Sequence, residues 1–298
     1  MASSTTYTSS LGDSLPDMVM SARQTREYVG VMPNLVDRQT LGSGAGLTWH
    51  EVEYAQLTAQ GVAETENFDN PQEITDTDLP VTPTVVGIHT LITDRVTQRI
   101  ATVGLSQLGT LGQNAIQRKK DEDGIVVLDG ATTPLGSSGA TLDWGVIAAA
   151  SSNILGNTTE GASGEIFGVL HPFGFRDIDD SITGAISHGT PSSNNALPTP
   201  GIGQQTFMRS YRGMIADVNM FRDGNITLDG TPDAKGGVFA REGIILVQGR
   251  SPYVRDRDEP SIGGGGTSVF LYDEYAYGER SVGNWLYEIV HDATAPTS

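Results

Sequence analysis

Histidines are the side chains of this sequence best suited to acid–base or metal chemistry, and the five of them are scattered: His50, His89, His171, His188 and His291. No two lie four residues apart on one helix face, as a zinc-binding HExxH helix requires, and neither a GxSxG elbow nor a GxxxxGK[ST] loop occurs. The absence of cysteine excludes disulfides, thiolate metal sites and cysteine nucleophiles. We therefore expect no enzyme, with no catalytic residue, cofactor site or metal site.

A gap in positive charge is the second chemical pattern. No lysine or arginine occurs between Arg38 and Arg95, whereas acidic residues are frequent there, among them Glu51, Glu53, Glu64, Glu66, Asp69, Glu73, Asp76 and Asp78. One interpretation is a solvated loop. The other is an arm whose charge is matched by arginines of a neighbouring subunit, and the candidates are Arg95, Arg99, Arg241, Arg250, Arg255 and Arg257. The sequence leaves both open.

The overall charge limits the classes of molecule that the protein is expected to bind. With 18 basic and 36 acidic residues among 298, the formal charge is −18, which argues against a nucleic-acid reader because such proteins neutralise phosphates with cations. The start, MASSTTYTSS, has neither a basic nor an apolar leader, and no apolar run approaches the ~18 residues of a membrane span. We expect a protein that is made in the cytosol and binds no membrane.

The first half of the chain predicts a helix, a hairpin and a long helix. Ser14 begins a capping-box pattern for a helix to about Tyr28. Alternating stretches at Leu47–Leu57 and Val85–Thr90 predict two strands joined by a polar tip, a projecting hairpin too poor in apolar residues to fold alone. Apolar residues at spacings of three to five predict a helix over Asp94–Lys119.

The second half alternates helices and strands. A short strand is predicted at Ile125–Leu128, a helix over 141–155, a buried strand over 165–172 followed by a helix around 176–182, and a loop over 186–205. Further strands are predicted at Gly213–Val218, Gly224–Leu228, Gly243–Gln248, Ser268–Tyr275 and Asn284–Val290. There is no internal repeat, and the class is α+β.

The order of these elements resembles that of the major capsid proteins of tailed bacteriophages, which have the Hong Kong 97-type (Johnson) fold. The strings that carry the resemblance are AIQRKKDEDGIVVLDG at 115–130, GEIFGVLHPFGFRDI at 164–178, DAKGGVFAREGIILVQG at 233–249 and the YG at 277–278. It covers about residues 30 to 291. The resemblance implies an N-terminal arm over 1–41, an E-loop hairpin over 42–91, a spine helix and the first part of a peripheral domain over 92–136, an axial domain over 137–250 and the last part of the peripheral domain over 251–298.

The same resemblance implies a shell subunit. Such a chain assembles with itself into hexamers and pentamers of an icosahedral head that encloses double-stranded DNA without sequence-specific binding. It is formed in the host cytoplasm and ends in the virion. The implied partners are a portal protein, a decoration protein and, because only about 40 residues precede the hairpin, a separate scaffolding protein.

Two other functions remain open at the level of sequence. An encapsulin-like bacterial nanocompartment shell would share the fold and differ in cargo. A secreted carbohydrate-binding β-protein is suggested by the richness in Gly, Ser, Thr and Asn, although the missing signal peptide and the long helix count against it.

Covalent strengthening of a shell is not expected. The type member of the capsid family cross-links a lysine of the hairpin to an asparagine of a neighbouring subunit. This chain has three lysines, Lys119, Lys120 and Lys235, and none lies in the hairpin.

Overall fold

A computed structural model describes residues 30–65, 67, 69, 71–94, 103–158, 160–187, 214–231, 233–261 and 264–296. These residues form two compact units. The smaller unit contains Val85–Lys119 and Ser251–Glu274, and the larger unit contains 30–84, Lys120–Arg250 and 275–296. The helix predicted from Ser14 to Tyr28 and nearly all of the loop predicted over 186–205 lie outside the described residues.

A six-stranded mixed sheet forms the centre of the larger unit, with strands in the order β5-β12-β9-β6-β8-β7. The strands are β5 (Pro134–Gly136), β6 (Ile166–Leu170), β7 (Met214–Ile215), β8 (Val218–Arg222), β9 (Asp233–Ala240) and β12 (Leu286–Asp292). All five residues of β6 are buried, as a continuous apolar run between neighbours on both sides requires. The buried strand predicted over 165–172 is thereby confirmed.

Two helices contribute to the core on this sheet. Helix α3 (Trp144–Leu155) begins where the Asp143 side chain accepts a hydrogen bond from Gly145 N, and it buries Ile147, Ala150 and Ile154 at helical spacing. Helix α4 (Pro172–Ser187) follows β6 directly and buries Phe175 and Ile178. Both predicted helices are confirmed, and they join the sheet in one apolar cluster.

The long helix α2 (Val103–Asp129) extends further than predicted, and the strand predicted at Ile125–Leu128 is wrong. Ile125 and Leu128 are buried, whereas Val126 between them is 64% exposed, so the burial has the helical and not the alternating period. The β-branched run had favoured a strand by propensity, and packing overrides it. The predicted start at Asp94 runs through residues that are not described.

Two strand predictions between residues 213 and 240 are also wrong. The stretch Gly213–Val218 contains β7, a turn with positive φ at Ala216 and Asp217, and only the first residue of β8. Residues 224–228 are not a strand. Strand β9 is not predicted from the sequence, because Gly236 and Gly237 lower strand propensity there. A β-carbon at Gly236 would lie 2.3 Å from the Val169 carbonyl oxygen, so this close backbone approach requires glycine.

A second sheet has the strand order β1-β10-β11-β4. Its strands are β1 (Asp37–Thr40), which follows the short helix α1 (Met32–Leu35), β4 (Thr84–Thr93), β10 (Ile244–Asp258) and β11 (Gly266–Glu279). In the larger unit β1 pairs in parallel with Ile245–Gln248 of β10. In the smaller unit the ring of His89 stacks on Phe270 at 4.3 Å, and Leu271 packs on α2 at Gly112. The strands predicted at 85–90, 243–248, 268–275 and 284–290 are confirmed in substance.

The projecting hairpin pairs β2 (Trp49–Tyr54) with β3 (Asp76–Val81), with Trp49 opposite Val81 and Tyr54 opposite Asp76. The prediction that the second strand of the hairpin is Val85–Thr90 is therefore wrong, since that stretch belongs to β4. Because β3 contains Pro80, the sequence had favoured a loop and not a strand for this stretch. A two-stranded sheet accepts proline because each strand has an open edge where no N–H is required.

Replacing Gly236 by alanine should lower the free energy of unfolding by about 1–3 kcal/mol, because the new methyl group would press the β6 backbone away from β9. Urea unfolding followed by circular dichroism measures the change. The matched control is Gly230→Ala, whose β-carbon would have no neighbour within 4 Å, and it should change stability by less than about 0.5 kcal/mol. Equal stabilities for the two variants would contradict the close approach.

Candidate assembly surface at the hairpin

The root of the hairpin is anchored in the larger unit by a small apolar cluster. Val81, Ile245 and Val247 are buried there, with Trp49 and Leu79 packed against them. A β-carbon at Gly278 would lie 2.6 Å from the Val81 side chain, which shows how closely β11 approaches. The root is therefore held by packing, and the chain beyond it is what projects.

Arg280 ties the hairpin to the larger unit by charge. Its Nε lies 2.5 Å from Glu51 Oε2 on β2, and its Nη1 lies 2.9 Å from Asp37 Oδ2 and donates to the Glu242 carbonyl oxygen at 3.2 Å. The arginine side chain is only 15% exposed. One guanidinium thus connects three separate segments, which the planar fork of arginine permits and a lysine ammonium would not.

An open cavity of about 650 Å³ lies beside this arginine. Among its lining residues Arg280 is the one lysine or arginine. Seven lining residues are acidic: Asp37, Glu51, Glu53, Asp78, Glu160, Glu242 and Glu279. Burial, followed by the nearby Glu160, raises the pKa of Glu53. Burial also raises the pKa of Glu279. The cavity is therefore strongly acidic, and its carboxylates repel one another.

The loop carrying Glu160 is held by two side chains of the segment 281–285. Trp285 Nε1 donates to the Glu160 carbonyl oxygen at 2.8 Å, and the Ser281 hydroxyl donates to the Glu160 carboxylate. Asp78, which also lines the cavity, has its Oδ2 2.7 Å from His50 Nδ1 across the two strands of the hairpin. Hydrogen bonds within the larger unit therefore hold acidic residues of the cavity in place.

The predicted acidic residues are distributed along the hairpin as follows. Glu51 and Glu53 lie on β2, and Asp76 and Asp78 lie on β3. Glu64, Asp69 and Glu73 lie in the exposed connection, and Glu66 is outside the described residues. The positive partner of Glu51 in the same chain is Arg280, which the sequence analysis did not name.

The predicted arginines fall into three groups. Arg241 and Arg250 lie exposed in the larger unit, and Arg255 and Arg257 lie exposed on β10 in the smaller unit, where Arg257 Nε is 3.2 Å from Glu259 Oε1. Arg95 and Arg99 are outside the described residues. That these arginines meet the hairpin of a neighbouring subunit stays a prediction.

A signal for Arg280 did exist in the sequence. It is the only lysine or arginine after Arg257, and it stands directly after the alternating run of β11. A single cation at the end of a half-buried strand requires an acidic partner, and the charge gap before Arg95 offered many.

The described residues contain neither a metal cluster nor a membrane helix. Among them no three histidine, aspartate or glutamate side chains come together as a metal ion would need. None of the helices within that part of the chain is long and apolar enough to cross a bilayer.

Comparison with known proteins identifies the fold of the chain. No model of a protein family and no curated protein sequence matches the chain. Solved structures do match it: one from Mycobacterium phage Che8 at 14% identity covers 90% of this chain and 93% of its own, with a TM-score of 0.66. The mature capsid of bacteriophage PhiM1 matches at 12% identity, over 92% and 90%, with a TM-score of 0.65. The capsid of cyanophage P-SCSP1u matches at 10% identity, over 91% of each chain, with a TM-score of 0.66.

The chain has the Hong Kong 97-type capsid fold. The likeness spans both compact units and confirms the capsid fold that the resemblance in the sequence implied, and the mixed helices and sheets confirm the predicted α+β class. An all-β carbohydrate-binding protein does not fit this architecture.

Replacing Arg280 by alanine should lower the free energy of unfolding by about 1–2 kcal/mol, because Glu51 and Asp37 would lose a shared, largely buried partner. Arg280→Lys should recover only part of the loss, since an ammonium cannot span both carboxylates. The measurement is urea unfolding at low and high salt.

The control for this prediction is Arg176→Ala. Arg176 makes a solvent-exposed pair with Asp180 one helical turn away, and its loss should cost about 0.3–0.5 kcal/mol. If Arg280→Ala were no more destabilising than this control, Arg280 would not hold the hairpin.

Proposed function

We propose that this chain is the major capsid protein of a tailed bacteriophage and that it assembles with itself into the icosahedral shell around the DNA genome. The supporting observation is the capsid fold, which extends over about 90% of the chain. Little chain remains outside that fold to carry a different activity. The protein acts in the virion and is not an enzyme.

An encapsulin-like shell would have the same fold, and it is not favoured. The three matching structures described above come from phages. Genes for a terminase and a portal protein beside the coding sequence would be expected for a phage head and not for a nanocompartment.

The tip of the hairpin supports an assembly role through its composition. Residues 55–75 connect β2 to β3 and carry exposed apolar side chains at Leu57, Val62 and Ile74, the last of them 67% exposed. Burial against a neighbouring chain would remove this apolar surface from water and would also match the acidic residues to basic ones.

The acceptor surface proposed for that hairpin is an arginine-bearing surface of the adjacent subunit. Arg255 and Arg257 lie exposed two residues apart on β10, so both side chains are on one face of the strand, where an extended acidic segment could pair with them. Arg250, which also lies exposed on β10, is a separate candidate. Arg241, Arg95 and Arg99 are the further candidates. Each exposed ion pair contributes only about 0–1 kcal/mol, so their effect depends on repetition around the shell and on fixing the register between subunits.

The finer organisation is also proposed. Hexamers and pentamers of the chain form the shell, with a separate scaffolding protein, a portal protein and a decoration protein as partners. The arm, E-loop, peripheral and axial domains have the bounds given by the resemblance in the sequence. The charge of −18 suits a container whose wall does not bind packed DNA tightly at every subunit.

Replacing residues 57–73 by Asn-Gly should leave a folded chain that forms no shells. Ala55 N bonds to Thr75 O, so a two-residue turn can close the hairpin without disturbing β2 and β3. The full chain and the variant would be expressed with the scaffolding protein and compared by negative-stain microscopy, with circular dichroism as the check on folding.

A full-length variant with Glu64→Gln, Asp69→Asn and Glu73→Gln is the matched control for charge. It retains the length and the apolar residues of the tip, so it should assemble, with a weaker dependence on salt than the wild type. Normal shells from the shortened hairpin would remove the tip from the assembly mechanism, and monomers from the unaltered chain under the same conditions would contradict the proposed function itself.

Mature particles boiled in denaturant should migrate as one band of about the chain mass, 31.6 kDa. Lys120 is buried and donates to Gln248, Lys235 contacts Asp129 and Glu288, and neither they nor Lys119 lies on the hairpin. No amine is therefore available there for a covalent cross-link. A ladder of oligomers on the denaturing gel would show that this interpretation of the lysines is wrong.

A further inference from the structure

Two aspartates are buried together in the larger unit. Asp121 lies on α2, Asp223 follows β8 directly, and both side chains have no exposure to solvent. They belong neither to the hairpin nor to the acidic cavity. Carboxylates are rarely buried completely without a cation, so the pair requires an explanation.

The pair binds the backbone of residues 30–32, the first residues that the structure describes. Met32 N donates to Asp121 Oδ1 at 2.9 Å, and the backbone N–H of Val31 bonds to Asp223. At the preceding residue, Gly30, a β-carbon would lie 2.3 Å from Asp121 Cγ, so the backbone passes directly over the carboxyl group. The backbone N–H groups of Val31 and Met32 are thus hydrogen-bonded to two buried aspartates.

Two further hydrogen bonds to the pair come from one neutral residue, Asn225, one from its side chain and one from its backbone. Asn225 Nδ2 donates to Asp121 Oδ2 at 2.8 Å, and Asn225 N donates to Asp223 Oδ1 at 2.9 Å. Asp223 Oδ2 is buried and has no donor. An orphaned oxygen in such a place is explained if it carries a proton and donates to Asp121, so that the two acids share one negative charge.

Electrostatics agrees with this geometry. Burial, and after it the contact with Asp121, raises the pKa of Asp223 to about 7. A like charge at short distance in a dry site disfavours the second ionisation, as in other carboxyl pairs.

The charged groups around the pair come from four elements. On α2, Lys120 donates to Gln248 and lies 4.6 Å from the Tyr275 ring, and Asp123 accepts from the Tyr275 hydroxyl. On β1, Arg38 bonds to Pro33 O and Asn34 Oδ1, and on β8 the Arg222 guanidinium lies 4.8 Å from the Phe175 ring. On β11, burial followed by the charge of Asp121 raises the pKa of Tyr277, so this phenol stays neutral.

We propose that Asp121 and Asp223 form a proton-operated latch: with one shared proton the pair holds residues 30–32 in place, and with both carboxyls ionised it releases them. The latch belongs to a single chain and does not depend on the proposed function. Its effect would be to set, by pH, how firmly residues 30–32 are held against α2 and the end of β8.

The direction follows from proton linkage. The closed latch binds its proton up to a pH of about 7, whereas an opened, solvated aspartate has lost it by a pH of about 4. The closed form is therefore favoured most at low pH, weakens as pH rises through that window and reaches its minimum above it. One proton over this window changes the opening equilibrium about tenfold per pH unit.

Hydrogen exchange with mass spectrometry tests the latch on the full-length protein. Protection of the backbone amides in 30–36, corrected for the intrinsic exchange rate, should fall about thirtyfold between pH 5.5 and pH 8. The core peptide covering Ile166–Leu170 should not follow this change, which separates local opening from global loss of stability.

The decisive variant is Asp223→Asn, which donates to Asp121 at every pH and should keep residues 30–36 protected at both values. Asp217→Asn is the matched control, because it removes one exposed carboxylate in a turn whose positive φ suits asparagine, and it should behave as the wild type does. Equal protection at the two pH values in the wild type would overturn the latch, and so would a thirtyfold fall that persists in Asp223→Asn. The wild-type profile decides the question even if the variant does not fold.

Discussion

Contact between β6 and β9 is the constraint on which the larger unit depends. Gly236 allows the β9 backbone to approach the Val169 carbonyl oxygen, and both strands are almost wholly buried. β12 pairs with the free side of β9 and brings Trp285 to the acidic cavity. β8 pairs with the free side of β6 and ends at Arg222, directly before Asp223. Trp285 at the acidic cavity and Asp223 of the buried pair are therefore positioned on opposite sides of one strand pair.

Sequence reasoning worked where a single periodicity decided the structure. Ile147, Ala150 and Ile154 have helical spacing, and residues 166–170 form an unbroken apolar run, so α3 and β6 could be predicted from local pattern alone. It failed where tertiary contacts opposed the local preference. The β-branched residues 125–127 remain helical because Ile125 and Leu128 pack on the core, and β9 is a strand despite two glycines because its neighbours need a close backbone.

The candidate surface was only half visible in the sequence. The charge gap identified the acidic hairpin, because a run without lysine or arginine can be counted directly. Pro80 disfavoured a strand prediction for β3, the second strand of the hairpin. The arginine that pairs with Glu51 lies 229 residues away in the sequence, and no local pattern reveals such a pairing. Asp121 and Asp223 were missed for the same reason, since the sequence does not show that two aspartates a hundred residues apart are buried side by side.

The exposed tip of the hairpin has a practical consequence, because the sequence contains no cysteine. A Gly61→Cys substitution would give the molecule one thiol, at a position where a β-carbon meets nothing within 4 Å. A fluorophore attached there would need no correction for background labelling, and its emission would change when the tip leaves water. Labelling before mixing with unlabelled chains would turn the hairpin into a real-time probe of each encounter between subunits.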